Sequence, residues 1–273
     1  MAGAGQPEKQ APGARRVALI VEYDGTNYMG FQRQAAQPTV QAELENSIWR
    51  LTGEDIRVRG ASRTDSGAHA TGQVVDFLTA TPLPLDRIIG GLNFHLPADI
   101  KVQSIYQVAE EFHSRRNASS RTYVYRILNR PWPSPLLQRT HHRVRDSLDE
   151  ECMRRAAAAL VGVKDYRPFA VGIPPGRSTV RQVARWEVSR VGEAITIESE
   201  ANGFLPHQIR RATGLLIEVG KGKLPESIIE EVLAGRAPPE LQWPSTPACG
   251  LCLVKVKYPN FRSQVRATTH EAD

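Results

Sequence analysis

The chain is poor in cysteine and in aromatic residues, and it has no long apolar run. Its three cysteines, Cys152, Cys249 and Cys252, are too few for the disulfide framework of a secreted protein. They favour a reducing compartment, the cytoplasm. No stretch approaches the roughly 18 apolar residues of a membrane span, so we expect no membrane helix. The first residues lack the apolar core of a secretory signal and predict a short flexible tail.

The charge balance favours a polyanionic partner. The 273 residues include 35 Lys and Arg against 29 Asp and Glu, a formal net charge of +6, and most of the positive residues are arginine. Arginine presents a planar fork that matches phosphate, so nucleic acid is the first candidate. An unspecialised basic surface is the alternative that charge alone leaves open. The hydrophobic content of 41% is enough to build a core, so we expect a globular protein.

The predicted elements follow one order twice. In the first half, periodicity and turn residues predict helices at 39–53 and 85–96 and strands at 16–23, 55–62, 73–79 and 100–108. In the second half they predict helices at 148–162 and 203–220, a further helical turn or two at 225–235, and strands at 121–128, 180–191, 193–201 and 250–258. Each half is therefore β-α-β-β-α-β. The sequence predicts an α+β fold of two ferredoxin-like halves whose antiparallel sheets form one core.

The domain division follows from this repeat. We expect a flexible tail at 1–15, an N-terminal α+β domain at 16–110, a C-terminal α+β domain at 111–260 and a second flexible tail at 261–273. The polar, basic stretch EEFHSRRNASS lies at the boundary between the two domains. The strand at 73–79 offers only Phe77, so the aromatic fingerprint of an RNA-recognition motif is absent.

Two groups of residues that often bind metals are weak candidates here. Cys249 and Cys252 form a C-x-x-C, but no second pair accompanies them and they lead into a strand, so neither zinc nor redox chemistry is expected. His141 and His142 are adjacent and point in different directions on most backbones. We expect a solvated basic loop there and no metal.

Two other segments combine residue types that could bind a ligand. On the helix predicted from Gly203, the residues His207, Arg210 and Gly214 share one face with that glycine. Glycines beside an arginine let a ligand or another backbone come close, although an exposed arginine is usually just solvated. The stretch RTYVYRI sets alternate tyrosines beside arginines, which suits stacking on a base. Alternate tyrosines pack a half-buried sheet equally often.

The stretch GASRTDSGAHATG, residues 60–72, leaves two interpretations of Asp65. The order T-D-S-G is good turn chemistry, because Asp and Ser bond nearby backbone groups and Gly takes positive φ. By that pattern Asp65 is a turn residue. A single carboxylate flanked by Arg63 and His69 is also a candidate for a reacting group.

Motifs along the chain, in order, resemble one family. They are YDGTNYMGFQRQ with TVQAELE, SRTDSGAHATGQV, FHSRRNASSRTYVYRI, ANGFLPHQIRR and GLCLVKVKYP. Together they are similar to the TruA family of tRNA pseudouridine synthases from about Val17 to Pro259, nearly the whole chain. The R-T-D-x-G-x-H-A segment around Asp65 is the most specific of them.

The resemblance implies a site built around Asp65. This carboxylate would be the nucleophile when uridine is detached from its sugar, turned and rejoined through carbon. Covalent attack on the sugar or the base, and stabilisation of a cation-like sugar, are both open routes. Tyr123 would stack against the flipped base, and Leu251 would line the pocket wall. Arg210 would pair with Asp65, keeping it ionised and aimed. Arg63 would enter the space left by the flipped base or hold the RNA backbone.

The resemblance also implies the partners. The targets would be uridines at tRNA positions 38, 39 and 40, in the anticodon stem-loop. An enzyme that serves neighbouring positions must read tRNA shape and phosphates, and Arg115 and Arg116 would supply part of that grip. The family implies a homodimer. The reaction oxidises nothing and adds no group, so it implies no cofactor and no metal.

The chain departs from the common family pattern at a few positions. It has Phe31 where Trp is usual, Ser62 where Gly is frequent and Ser66 where Ala is usual. Arg167 and Pro168 stand where small hydroxyl residues are typical. None of these changes removes a reacting group, but they bear on substrate preference.

Two other classes of function compete with this interpretation. A non-catalytic RNA-binding protein on the same fold is the main alternative, and the loss of Asp65, Tyr123 or Arg210 would have indicated it. All three are present. A hydrolase or metalloenzyme that uses the histidines is disfavoured, because no metal motif is complete.

Overall fold

A ten-stranded mixed sheet runs through the computed structural model, which describes residues 13–259. The strands are β1 Arg15–Tyr23, β2 Arg59–Gly60, β3 His69–Thr79, β4 Ile100–Val108, β5 Ser120–Asn129, β6 His142–Val144, β7 Gly162–Asp165, β8 Val180–Val191, β9 Ala194–Ala201 and β10 Leu251–Lys257. The helices are α1 Val40–Thr52, α2 Leu85–His95, α3 Glu150–Ala158, α4 Gln208–Gly220 and α5 Ile228–Leu233. The predicted tail at 261–273 and most of the one at 1–15 lie outside the described residues, and Arg15 already belongs to β1.

Both halves of the sheet have the same strand order. In the first half β1 lies between β4 and β3, and β2 pairs with β3. In the second half the order is β10, β5, β9 and β8. Each half is therefore arranged as its fourth, first, third and second strand, and the prediction of two ferredoxin-like halves is confirmed.

The last strand joins the two halves. β10 lies between β3 and β5, parallel to β3 and antiparallel to β5. Leu253 is opposite Ala70 on one side and opposite Tyr123 on the other. The strand that follows the Asp65 loop and the strand that carries Tyr123 are thus only one strand apart. The sequence did not predict this parallel junction.

Helix α1 forms where capping residues and an apolar face coincide. In α1, Thr39 accepts a hydrogen bond from the Ala42 backbone N–H (3.3 Å), and Gly53 ends the helix in the left-handed region at φ 76°. The side chains of Leu44 and Ile48 are buried in the main core, which also receives residues from α2, α3 and α4. No helix within residues 13–259 is both long enough and apolar enough to cross a membrane.

The predicted strand at 55–62 is wrong in its length, because side chains bond several of its backbone groups. The Val58 N–H donates to the buried Glu45 carboxylate, and Gln73 bonds both backbone polar groups of Ser62. Only Arg59–Gly60 pairs in the sheet. β3 begins at His69, four residues before the predicted start, because its first residues pair with β10.

The prediction that a helix begins near Gly203 is also wrong. His207 has a left-handed backbone, with φ 62°, and α4 starts at the next residue. Gly203 and His207 therefore lie before the helix, while Arg210 and Gly214 lie on it. The short strands β6 and β7 were not predicted, and α3 is shorter than the predicted 148–162.

Candidate active site

Asp65 lies in the loop between β2 and β3, in a tight turn. The Ala68 N–H donates to the Asp65 carbonyl (3.1 Å), and Gly67 has φ 78°. The turn that the local sequence indicates is therefore present. The same turn leaves the Asp65 carboxylate partly exposed, so the two interpretations of this residue are compatible.

The segment that follows β1 is hydrogen-bonded to this loop. The Phe31 N–H donates to the Thr64 carbonyl (3.2 Å), and the Gly67 N–H donates to the Tyr28 carbonyl (3.2 Å). The backbone on both sides of Asp65 is thus fixed by hydrogen bonds to one neighbouring segment. This contact explains why YDGTNYMGF accompanies the Asp65 motif in the sequence.

Two glycines allow that close approach. A Cβ on Gly25 would lie 1.9 Å from the Ala68 carbonyl oxygen, and one on Gly30 would lie 2.7 Å from the Thr64 carbonyl oxygen. Gly30 also has φ 88°. Any side chain at these positions would push the Asp65 loop away, so the glycines set its position.

His69 connects the start of β3 to two other loops. Its Nδ1 accepts the Gly25 N–H (3.1 Å) and lies 3.2 Å from an Asp24 carboxylate oxygen. Its Nε2 lies 2.7 Å from the Arg139 carbonyl and 3.1 Å from the Cys249 carbonyl. His69 is buried, so it acts as a structural link behind the loop and does not face the cavity.

Arg210 reaches Asp65 from α4. Its Nη1 lies 3.0 Å from Asp65 Oδ2, although 145 positions separate the two residues. Its Nε donates to the Thr246 carbonyl (2.6 Å), which fixes the direction of the guanidinium. His207 Nδ1 is 3.9 Å from the same carboxylate oxygen. The glycine-flanked arginine and the motif aspartate are therefore brought together.

Tyr123 is positioned by a short chain of hydrogen bonds. Buried Gln73 donates to the Ser62 carbonyl (2.7 Å) and accepts from the Ser62 N–H (3.2 Å). The Ser62 Oγ and the Tyr123 hydroxyl are 2.8 Å apart. Burial raises the pKa of Tyr123 to about 12, despite the opposing effect of its hydrogen bond with Ser62. The phenol therefore stays protonated at neutral pH.

These side chains border one cavity of about 600 Å³. Its lining is Ala61, Ser62, Arg63, Thr64, Asp65, Arg115, Arg121, Tyr123, Arg181, Asn202, Gly203, Phe204, Leu205, Pro206, His207, Gln208, Ile209, Arg210 and Leu251. The volume is typical of a small-molecule pocket. Phe204 meets Tyr123 edge-on, with ring centroids 5.5 Å apart, so the wall beside the carboxylate is aromatic and apolar.

The predicted RNA-binding arginines are divided between two cavities. Arg63 and Arg115 border both the first cavity and a second one of about 630 Å³, whereas Arg116 borders only the second. All three side chains are open to solvent. Of the predicted site residues, only Arg116 is therefore outside the cavity that contains Asp65.

A buried arginine that was not among the predicted site residues lines this cavity. Arg121 donates to the carbonyls of Ala61, Arg115, Ala118 and Asn202. These acceptors are neutral, so its positive charge adds to the field in the cavity. The only sequence signal was its place beside Tyr123 in RTYVYRI. Phe204 and Thr246 were also missed, since nothing local marks them.

The histidines and cysteines that sequence patterns suggested as metal ligands do not form a metal site. Among residues 13–259, no three His, Cys, Asp or Glu side chains come together as possible metal ligands. His142 meets the Tyr125 ring edge-on, whereas His141 Nδ1 bonds the Thr140 hydroxyl. Cys249 lies in a short 3-10 turn and Cys252 on β10, both as free thiols.

The residues that depart from the family pattern differ in their distance from the cavity. Phe31 is buried, and its ring lies against Gly60. Ser66 Oγ bonds the Tyr28 carbonyl (3.3 Å). The Arg167–Phe169 segment forms a 3-10 turn outside the cavity lining.

Comparisons with known proteins identify the family of the chain. A family model described as tRNA pseudouridine synthase matches residues 19–115 and 156–259. The chain is 39% identical over 262 residues to the tRNA pseudouridine synthase A of Myxococcus xanthus, covering 94% of this chain and 98% of that one. It is 41% identical over 242 residues to the tRNA pseudouridine synthase A of Moorella thermoacetica, covering 88% and 98%.

A likeness to a solved structure is much weaker. A chain in the crystal structure of the archaeal box H/ACA sRNP Nop10-Cbf5 complex aligns with a TM-score of 0.37 and 12% identity, over 75% of this chain and 44% of that chain. A score this low does not establish a common fold.

Proposed function

The chain belongs to the tRNA pseudouridine synthase family, isomerases that convert uridine in tRNA to pseudouridine, and from that premise we propose that Asp65 is its nucleophile. The pairing of Asp65 with Arg210 at 3.0 Å, beside Tyr123 in one cavity, is the observation that carries the proposal. Within residues 13–259, no other carboxylate contributes to the lining of this cavity.

The reaction needs few groups because its atoms balance within the substrate. The bond between the sugar carbon and a ring nitrogen of uracil breaks, and a bond between the same sugar carbon and a ring carbon forms. The proton on that ring carbon is released, and the ring nitrogen gains one. A carboxylate that attacks covalently or stabilises a cation-like sugar is sufficient, and no electron acceptor is required.

A uridine in a stem must be flipped out to reach Asp65. The cavity volume of about 600 Å³ admits a nucleoside. Tyr123 and Leu251, each 5% exposed, offer an aromatic ring and an aliphatic wall to the base. We assign Tyr123 to stacking and Leu251 to the wall. Arg210 orients Asp65 through the ion pair.

The basic residues around the cavity hold the RNA. Arg63, at the rim, fills the space left by the flipped base or holds the backbone, and Arg115 and Arg116 grip phosphates. The targets we propose are uridines 38, 39 and 40 of the anticodon stem-loop, which follows from the family resemblance. No fixed set of base contacts serves three neighbouring positions, so recognition rests on shape and charge.

The assembly and setting are further parts of the proposal. We expect a homodimer, built from an N-terminal domain at 16–110 that carries the Asp65 loop and a C-terminal domain at 111–260. The cytoplasm is the expected compartment, because three free cysteines suit a reducing environment. Sedimentation tests the assembly: an active species of only 30.2 kDa would contradict the dimer.

Position mapping of the product tests the function directly. Purified protein is incubated with a folded tRNA transcript that has uridines at 38, 39 and 40, and with the isolated anticodon stem-loop of the same sequence. We expect pseudouridine at those positions, formed faster in the whole tRNA and more slowly as salt rises. Binding without product would favour the non-catalytic alternative. Equal modification of the short stem-loop would contradict shape recognition.

A further inference from the structure

A second cavity of about 630 Å³ lies beside the catalytic one. The two share Arg63 and Arg115, which form the partition between them. The second cavity is thus in reach of the nucleotides that flank the target.

Four uncompensated positive charges border this second cavity. They belong to Arg63, Arg115, Arg116 and Arg177, and within residues 13–259 none of these side chains makes an ion pair with a carboxylate. A fifth arginine of the lining, Arg59, differs, because its guanidinium is bound to Asp76. No Asp or Glu contributes to the lining. The cavity is therefore strongly electropositive.

The charges are close enough to oppose one another. Partial burial lowers the pKa of Arg115, and the guanidinium groups of Arg63 and Arg177 lower it further. Like charges that face one another without a carboxylate are relieved by a bound anion. Arginine's planar fork matches the oxygens of a phosphate, and that makes phosphate the preferred anion.

The other lining residues favour a phosphate over a base. The lining has two apolar side chains, Phe31 and Val58, against five arginines, so apolar surface is a minor part of it. The His113 Nδ1 already accepts the Arg115 N–H (3.2 Å). Charge is the property that the cavity presents to solvent.

Arg177 comes from the opposite half of the chain. It lies in the loop before β8, just after Gly176 (φ 76°), and its N–H donates to the Pro174 carbonyl (3.3 Å). Two consecutive prolines, Pro174 and Pro175, restrict this loop. Arg63 and Arg115 come from the first half and the boundary, so the cavity is closed by charges from both halves.

We propose that this cavity is a phosphate site for the RNA strand next to the target uridine, in which Arg177 completes a clamp with Arg63, Arg115 and Arg116. The inference rests on the proposed function, since it assigns the second cavity to the same tRNA substrate. It adds Arg177, and the loop that carries it, to the residues that hold the strand.

The first test measures tRNA affinity against salt for wild type and Arg177→Gln. Loss of one phosphate contact should reduce the slope of log K against log salt by about one, and weaken binding roughly tenfold at low salt. The matched control is Arg87→Gln, an exposed arginine on α2. This control should change neither the slope nor the affinity. An unchanged slope for Arg177→Gln would overturn the proposal.

The second test identifies the ligand as an RNA phosphate. Ligated tRNAs carry one uncharged methylphosphonate on the 5′ or the 3′ side of the target. If the modified phosphate is the one that Arg177 contacts, Arg177→Gln should weaken the binding of that tRNA by less than about twofold. On unmodified tRNA the same substitution should weaken binding roughly tenfold. An equal loss of affinity on every tRNA would overturn the assignment. So would binding of inorganic phosphate that Arg177→Gln abolishes without any change in the tRNA slope, because the cavity would then be a free-anion site.

Both tests separate this inference from the function on which it rests. If wild type forms pseudouridine but the Arg177 effects are absent, only the phosphate site is wrong. If wild type forms no product, the proposed function is wrong whatever the salt dependence of binding. Equal melting temperatures for wild type and Arg177→Gln exclude an effect of misfolding.

Discussion

The exchange of Arg210 for lysine probes how much of the site depends on the fork of a guanidinium. In the structure, Nη1 of Arg210 contacts Asp65 at 3.0 Å, while Nε donates to the Thr246 carbonyl at 2.6 Å. Lysine keeps the charge but has a single nitrogen at the end of a flexible chain. It therefore cannot hold both partners in this geometry.

The magnitude follows from the contacts. The Arg210 and Asp65 side chains are 15% and 24% exposed, so their attraction is only partly screened. Two charges about 4 Å apart attract by about 4 kcal/mol at an effective dielectric constant of about 20, and lysine retains most of this. The loss is about one charge-assisted hydrogen bond, about 1.5–3 kcal/mol. If that loss falls on the transition state, kcat drops about 10- to 150-fold.

Single-turnover kinetics with saturating tRNA measure this effect. The matched control is Arg211→Lys, the next residue on α4, whose guanidinium lies over the Trp243 ring at 5.0 Å and outside the cavity lining. We expect less than about a threefold change for the control, because a lysine can make the same cation–π contact. A rate for Arg210→Lys within threefold of wild type would refute the reasoning and leave Arg210 as a surface charge.

Three further predictions concern the frame of the site. Gly214→Ala should lower the melting temperature and kcat together, because its Cβ would lie 2.1 Å from the Pro244 carbonyl oxygen. The free energy of unfolding should fall by about 1–3 kcal/mol. Ser62→Gly should slow single turnover about 2- to 10-fold, because the Tyr123 hydroxyl loses its 2.8 Å partner. Burial lowers the pKa of His142, so the stabilisation that this neutral ring retains above about pH 6.5 is lost as pH falls below that value. Melting temperatures at pH 7.5 and 5.5 should therefore differ more for wild type than for His142→Gln.

Each of these has a contradicting result. A stable Gly214→Ala protein with normal kcat would mean that the neighbouring segment yields easily. Unchanged turnover in Ser62→Gly would mean that packing alone orients the Tyr123 ring. Equal pH shifts for wild type and His142→Gln would mean that this ring titrates as it does in the unfolded chain.

The order of the elements was predictable from sequence because it depends on local patterns. Alternation in β1 and the cap of α1 at Thr39 each lie within a few residues. The extent of β2 was not predictable, because the bonds that replace its ladder come from the side chains of Glu45 and Gln73. The sequence of the strand itself does not indicate such a side-chain partner.

The centre of the sheet depends on contacts between distant parts of the chain. β10 inserts between β3 and β5, and pairs Cys252 with His69 across more than half of the sequence. The start of α4 was missed for another reason. His207 adopts a left-handed backbone that is uncommon for a residue other than glycine, so helical periodicity appeared to continue through it.

The candidate site was identified from motifs, and its supporting contacts were not. Asp65 and Arg210 were singled out from their neighbours in sequence, and they lie 3.0 Å apart in the structure. Thr246 and Arg121 were missed, although they hold the guanidinium and the cavity floor. Both act through backbone carbonyls, and residue type does not reveal such contacts.

The measurement that tests the account most directly is product formation by Asp65→Asn. The amide keeps the size of the side chain and removes the charge and the nucleophile, so folding and tRNA affinity should stay near wild type while pseudouridine formation falls below detection. Asp86→Asn, an exposed position on α2, serves as the control and should be fully active. Measurable pseudouridine from purified, folded Asp65→Asn protein would contradict the assignment of Asp65 as the nucleophile.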